Sequence, residues 1–429
     1  MQNPVVATLP DAPRRIHAAL SSGAESHWTA EAANYLRSQL ELAAARPPSL
    51  PQRYDELAAW ITHDAQSAAD GYHRYQVARE YGAPRRHFAT SAQARHFLRE
   101  AAPARLADGA SLYSVVERWD DTDFQPMIAS YLEQLGNGVP DRNRHLLYRD
   151  LLAGQAAGAA AGELEPERYR SAAVELALAH GGENFLPELI GYNLARQQPS
   201  TELLVARHEL AELGLNADAF AATGVAAGSG PSALLTLRGV MARVADPAAF
   251  YRRVADGYRL HMALAHLPLP TAIPGPQQPG VPNAPVAAGH EMDTDDSRED
   301  QLRDSETAQH GNHRPTASAT ASAPTSAAAA ATAATAAAAR SSAASLRGDA
   351  AGQHARPRGE RPVIRHHFPA DEHAWEAIGC ELRLLEARLA ASDSKEEAMS
   401  TLARLLAPSQ QHTPAGLMAA RIYTQLFNL

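Results

Sequence analysis

Three observations predict an all-α protein. Apolar residues recur at helical spacing through most of the first 265 residues, and period-two strand patterns are scarce. Hydrophobic residues make up 45% of the chain and aromatics only 6%, with alanine dominating. Such a core is built from small side chains and close helix contacts. Proline and glycine punctuate the periodic stretches, as in Pro47-Pro48 and Gly136-Asn137-Gly138. Only a helical bundle buries so many amphipathic stripes together.

The expected organisation is an N-terminal helical segment over 1–84, a helical bundle over 85–267, a linker over 268–362 and a C-terminal helical segment over 363–429. Thr29 is placed to cap a helix that runs to Ala45 and stops at the two prolines. Helices follow over Arg95 to Ala102, Pro126 to Leu135 and Arg142 to Ala153, with the Gly136-Asn137-Gly138 turn before the last. Glu167 to Ala179, Phe185 to Gln197 and Thr201 to Leu213 continue the series.

From Pro268 the composition changes to prolines and glycines, then an acidic run Glu291 to Asp300, then Ala/Ser/Thr repeats through Ser345. This reads as a disordered linker, because it offers no apolar face to dock. Beyond it, Asp371 to Ala391 places Ile378, Leu382, Leu385 and Leu389 on one face. Ser394 with Glu397 spells a capping box for the next helix. Thr413 with Pro414 starts a third, carrying Leu417, Tyr423 and Leu426. Some 65 residues are marginal for a core of their own, so this segment is expected to dock back on the bundle.

Charge excludes one class of partner. Lys395 is the only lysine, the net charge is −9, and no basic stripe with interleaved aromatics is present, so nucleic acid is not an expected ligand. The lone Cys380 rules out an intramolecular disulfide and a thiolate zinc site within one chain. The opening residues lack the pattern of a cleaved leader, and no stretch approaches the ~20 apolar residues that span a bilayer. The expectation is a cytoplasmic protein without membrane partners.

Chemistry is sparse in the pattern. No nucleophile elbow, phosphate loop, H-E-x-x-H or dinucleotide fingerprint occurs. Glu188 shares a helical face with Phe185, Leu189 and Tyr192. A carboxylate there must bind a metal, meet a cation or stay protonated. His208 and Glu212 lie one turn apart and read as a solvated pair, and His180 as a helix-terminal histidine that suits the dipole.

Several segments in order carry a resemblance. Phe97-Leu98-Arg99-Glu100 with Leu106-Ala107-Asp108-Gly109, Leu135-Gly136-Asn137-Gly138 with Leu147-Tyr148-Arg149, Phe185-Leu186-Pro187-Glu188 with Gly191-Tyr192-Asn193-Leu194, and His208 to Gly214 resemble the iron-containing redox enzymes of the heme-oxygenase-like di-iron oxidase superfamily. Phe250 to Val254, Asp256 to Tyr258 and His412 to Leu417 extend the resemblance. It implies a heme-oxygenase-like helical bundle whose carboxylates and imidazoles hold iron and activate O₂ to oxidise a small molecule, a donor set that suits iron.

Carried over by position, Glu100 and Glu188 match metal-ligand positions and are retained. Gln134 stands where the family has a glutamate, and Arg144 where it has a histidine. Thr223, Ala227, Gly230 and Ala233 stand where it has a histidine, two aspartates and a second histidine. Glu133 and His145 are each one residue, about 100° of helix, away from a ligand position. His208 is the one imidazole placed to join Glu188. The candidate metal set is therefore Glu100, Glu188 and His208, with iron as the only cofactor implied. On this view Arg144 points inward and replaces the metal charge beside Glu100 and Glu188.

Three functional readings follow. In the first, the chain is a divergent family member with a degenerate metal site that binds a small-molecule ligand or a protein partner. In the second, it is an active iron-dependent oxidoreductase with a relocated site. In the third, it is a scaffold whose linker and C-terminal helices present surfaces.

Overall fold

In the computed structural model, residues 11–23, 25–154, 164–215, 225–226, 230–264 and 394–427 are described, with a few positions between 269 and 391. The expected linker falls outside them except for Leu269, which packs against the smaller hydrophobic core. The described chain is helical apart from loops and one antiparallel pair of two-residue strands, β1 (Val225–Ala226) and β2 (Gly230–Pro231).

Helix α1 (Ala12–Ser21) ends ahead of Gly23, whose φ of +79° turns the chain into α2 (Glu25–Ala44). That helix begins four residues before Thr29, because the left-handed glycine, not the threonine, sets the break. Helix α3 (Leu57–Glu80) was not foreseen. Its buried residues Leu57, Ile61, Ala68 and Tyr75 are thinly spread among charges, which weakens the periodic signal. Helix α4 (Ser91–Glu100) starts at a reciprocal cap, in which Thr90 Oγ1 accepts from the Gln93 amide and the Gln93 side chain accepts from the Thr90 amide.

A short α5 (Ala102–Leu106) leads to Gly109 at φ +82° and then to a 3-10 stretch, Ala110–Arg118. Helices α6 (Gln125–Gln134), α7 (Arg144–Gly154), α8 (Arg170–Ala179), α9 (Leu186–Arg196) and α10 (Thr201–Glu212) follow close to their expected bounds. Then come α11 (Ser232–Met241) and α12 (Pro247–Leu264).

Helices α9 and α12 form the tightest crossing. A Cβ on Gly191 would sit 1.8 Å from the Val254 carbonyl oxygen, and one on Gly257 would sit 1.9 Å from the carbonyl oxygen of Glu188. Backbone therefore rests on backbone at both points. The contact brings the side chains of α12 against Glu188 and Tyr192.

One hydrophobic core joins the two ends of the chain to the middle. Ile16, Leu20, Leu36 and Leu57 pack in the same cluster as Val116, Tyr131, Leu189, Tyr258, Met399, Leu402 and Tyr423. The C-terminal helices α13 (Lys395–Leu405) and α14 (Pro414–Phe427) dock on the bundle as expected. Tyr131 Oη donates to the Leu406 carbonyl at 2.5 Å and Tyr423 Oη to the Val116 carbonyl at 2.7 Å. The Ser394 hydroxyl accepts from the Glu397 amide, the hydroxyl half of the expected capping box, and Thr413 Oγ1 accepts from the Gly416 amide.

Leu426 departs from expectation, being 57% exposed. Nine residues separate it from Leu417, about half a turn out of phase on a helix. A second, smaller core of Phe88, Phe97, Leu98, Tyr148, Leu151 and Leu210 ties α4, α7 and α10 together.

Candidate functional site

The three residues expected to ligate a metal are each committed to a separate partner. Glu100, at the end of α4, meets Arg168 at 2.9 Å and His96 at 3.3 Å. Glu188, in the first turn of α9, is gripped by both arms of Arg253 from α12 at 2.6 and 2.7 Å, and the same guanidinium also donates to the Asn184 carbonyl. Its side chain is 8% exposed. Of the three fates open to a carboxylate on that apolar face, it meets a cation. His208 accepts or donates across 3.1 Å to Tyr72 Oη on α3 and lies 3.2 Å from Glu212 on its own helix. The two are one turn apart as the spacing requires, but Glu212 is also clamped by Arg79 and Arg85, so the pair is part of a partly buried network and not a solvated pair.

The cations that neutralise Glu100 and Glu188 are thus Arg168 and Arg253, where Arg144 was expected to serve both. Arg144 belongs to a different group, centred on Asp108 in the turn after α5. Asp108 receives Arg196 Nη1 of α9 and Arg105 Nη1 of α5, both at 3.2 Å. Arg196 also donates to Asn193 Oδ1 at 3.1 Å, and Asn193 in turn bonds Ser111 and the Leu189 carbonyl.

Gln134, with its amide oriented to suit its neighbours, donates to the Asp108 carbonyl and accepts from Arg196, both at 2.9 Å. Gly109 makes that approach possible: a Cβ there would lie 1.6 Å from Gln134 Oε1. Two positions at which the sequence departs from the resemblance, 134 and 144, thus converge on Asp108, the first by hydrogen bonds and the second through space.

The electrostatics of this centre follow from burial and crowding. Burial pushes the Asp108 carboxyl up, but Arg196, Arg105 and Arg144 more than offset it and hold it below its ordinary value. Burial lowers Arg144, and the like charges of Arg196 and Arg105 add to the effect against Asp108 and Glu133. Glu175 of α8 accepts from the Ser111 amide at 3.1 Å, yet burial together with Asp108 raises it above the usual carboxylate range. His261 of α12 stands edge-on to Tyr192 at 4.9 Å. Burial, then the positive field of Arg196, lowers it to about 4, so it is a neutral imidazole at pH 7.

Sequence reasoning missed much of this group. Asp108, Glu175, Arg196 and His261 come from four different segments, and none stands in a motif that names its partners. It also missed Glu209, which is fully buried and accepts from the backbone amides of His87 and Phe88 at 2.9 Å and from Tyr75 Oη at 2.8 Å. The available signal was a carboxylate beside Ala206 and Leu210 on an apolar stripe. His145 is engaged by other groups than Asp108. Its Nδ1 faces the Leu106 carbonyl at 3.1 Å, and its ring stacks on His412 from the C-terminal segment at 4.7 Å.

Among the described residues no three His, Cys, Asp or Glu side chains cluster as metal ligands would. The described donors therefore do not fit a di-iron set. Of the four departing positions near 223–233, Thr223 and Ala227 lie outside the described residues. Gly230 is in β2, and the Ala233 amide donates to Gln197 Oε1 at 3.0 Å. No helix among the described residues is long and apolar enough to cross a membrane.

Residues 95–221 match the family model described as iron-containing redox enzyme, a heme-oxygenase-like family. The match runs from α4 through α10 and includes Glu100, Gln134, Arg144, Glu188 and His208. Neither a curated protein nor a solved structure matches the chain.

Proposed function

We propose that this chain is a divergent member of the iron-containing redox enzymes whose bundle has exchanged its metal site for a fixed network of ion pairs and now serves to bind a small-molecule ligand. One observation carries the reading. The two retained carboxylates, Glu100 and Glu188, are each held by an arginine, and the two substituted positions, Gln134 and Arg144, are gathered around Asp108 among further arginines. A bidentate guanidinium satisfies the same carboxylate lone pairs that a metal would use.

Iron chemistry would require Glu188 to leave Arg253 and Glu100 to leave Arg168, giving up both ion pairs. Nothing in the described geometry recruits the imidazole of His208 in their place, because Tyr72 and Glu212 orient it toward α3.

Iron content per chain after anaerobic reconstitution with Fe(II) tests the proposal, with Glu188→Ala as the control. Substoichiometric iron in both proteins is the expected result. One or two irons per chain that vanish in Glu188→Ala would overturn it in favour of an active iron-dependent oxidoreductase.

A further inference from the structure

Between α13 and α14 the chain carries one histidine, His412, and it lands on a histidine of the bundle. Its ring lies nearly parallel to that of His145 on α7, with centroids 4.7 Å apart and 13° between the planes. Hydrogen-bond partners assign the protons. His145 Nδ1 faces the Leu106 carbonyl at 3.1 Å, and a carbonyl only accepts, so Nδ1 carries the hydrogen and Nε2 the lone pair. His412 Nδ1 is buried with no hydrogen-bond partner among the described residues, so it is the bare nitrogen and the hydrogen sits on Nε2. A proton added to His412 would bury an N–H with no acceptor. One added to each ring would set two cations 4.7 Å apart in a partly desolvated interface.

The charge around the pair has one sign. Arg149, one turn along α7 from His145, acts on both rings. The carboxylates Asp108 after α5, Glu133 on α6, Asp141 ahead of α7 and Asp150 on it act on neither, nor do Arg404 of α13 and Arg421 of α14. Burial, then the neighbouring ring, lowers His145 to about 4, and burial followed by Arg149 lowers His412.

The stack lies beside the contacts that fasten the C-terminal helices. Gln411, next to His412, is buried with its Oε1 3.3 Å from Tyr131 Oη, which also donates to the Leu406 carbonyl at 2.5 Å. Beyond it α14 rests on the turn after α6, where a Cβ on Gly138 would come within 2.4 Å of the Leu417 carbonyl oxygen. Met399, Leu402 and Tyr423 add apolar burial, and the Lys395 ammonium lies 4.5 Å from the Trp119 ring centre. Neither apolar burial nor a lysine changes between neutral and mildly acid pH, whereas an imidazole does.

We propose that the His145 and His412 stack is an acid-sensitive latch, which fastens residues 394–427 on the bundle at neutral pH and releases them when its imidazoles take up protons. Release uncovers Tyr131 and the turn 136–138. The sign follows from linkage: freed rings bind protons near the ordinary 6.5 and stacked rings less readily, so docking weakens as pH falls below 6.5.

Hydrogen exchange on the full chain at about pH 7.5 and about pH 5 tests it, read as protection factors so that the intrinsic pH dependence of exchange cancels. Opening of residues 394–427 is expected to become at least about tenfold more frequent at the lower pH, while α8 and α9 keep their protection. His412→Phe keeps a ring against His145 and removes one titrating group, so it is expected to cut that increase at least about threefold. Unchanged opening between the two conditions overturns the latch. So does a loss of protection in α8 and α9 together with the segment, or a response in His412→Phe equal to the parent's. Should His412→Phe not fold, exchange at the imidazole Cε1 carbons of the parent decides. Titration midpoints of His145 and His412 that coincide with the release support the latch, and midpoints displaced from it overturn it.

Discussion

The pair Glu188 and Arg253 allows the ion-pair reading to be measured as a coupling energy. In Arg253→Met the Glu188 carboxylate, 8% exposed, loses both of its guanidinium donors. Stranding a fully buried partner costs 3–5 kcal/mol in general. Arg253 is 45% exposed, so water reaches the vacated side and about 2.5 kcal/mol is the better figure. Glu188→Met should cost about 1 kcal/mol, because the freed arginine can turn to solvent while α9 loses an acid in its first turn. With both replaced, no charge is stranded and methionine fills similar volume, so the double variant should stay near 1 kcal/mol below the parent. The coupling is then about 2.5 kcal/mol, read from urea denaturation of the four proteins at pH 7 and moderate salt. Additive effects, with coupling below about 0.5 kcal/mol, would show that the carboxylate does not depend on Arg253 and would remove the main support for a metal site replaced by ion pairs.

Three further outcomes are expected. Glu209→Gln should lower stability by about 1–3 kcal/mol in the same denaturation assay, because a glutamine can offer its oxygen to the His87 and Phe88 amides only by turning its NH2 group toward the Arg86 amide, a donor the carboxylate satisfies; a change under 0.5 kcal/mol would contradict the geometry. Gly191→Ala should cost at least about 3 kcal/mol or abolish soluble expression, since its Cβ would lie 1.8 Å from a carbonyl oxygen that belongs to backbone and has no rotamer to escape into; normal thermal melting would refute the crossing. The pH dependence has a definite sign. His145 and His261 are lowered from 6.5 to about 4 in the fold, so the unfolded chain binds protons that the fold does not. Their contribution is complete above pH 6.5 and is lost as pH falls toward 4, at up to about 1.4 kcal/mol per pH unit for each group. Replacing His261 by Phe should flatten that slope between pH 6 and 4, as measured by denaturant midpoints across pH.

What the sequence disclosed depended on how local the signal was. Helices α6 to α10 were legible because each carries its own apolar stripe within one window, and the caps at Ser394 and Thr413 because the donor and acceptor are three residues apart. Helix α3 was not, since its buried residues are sparse and its other partners lie on α10, more than a hundred residues away. The fate of Glu188 was legible as a choice among metal, cation and protonation, but the cation was not: Arg253 is 65 residues on and is placed by two glycines whose role appears only when helices cross. Arg144 illustrates the converse. Its inward direction followed from its ligand position, yet its target was misjudged, because Asp108 sits in a turn outside every helical stripe.

On the proposed reading, an exchange of metal for guanidiniums changes what the bundle can do. A metal centre ties several helices through one point and leaves a coordination position for a reactant. Arginine forks tie helices in pairs: Arg253 joins α12 to α9, and Arg196 joins α9 to the α5 turn. On that reading the arginines would take over the structural role of the metal piecemeal, at the cost of desolvating several charges, but not its electrophilic role, since a guanidinium releases neither a proton nor an electron at neutral pH. The described interior holds the acids Asp108 and Glu175 beside the cations Arg105 and Arg196, both signs in one buried group. On the proposed reading, such an interior keeps polar recognition where the ligands of the chemistry are gone.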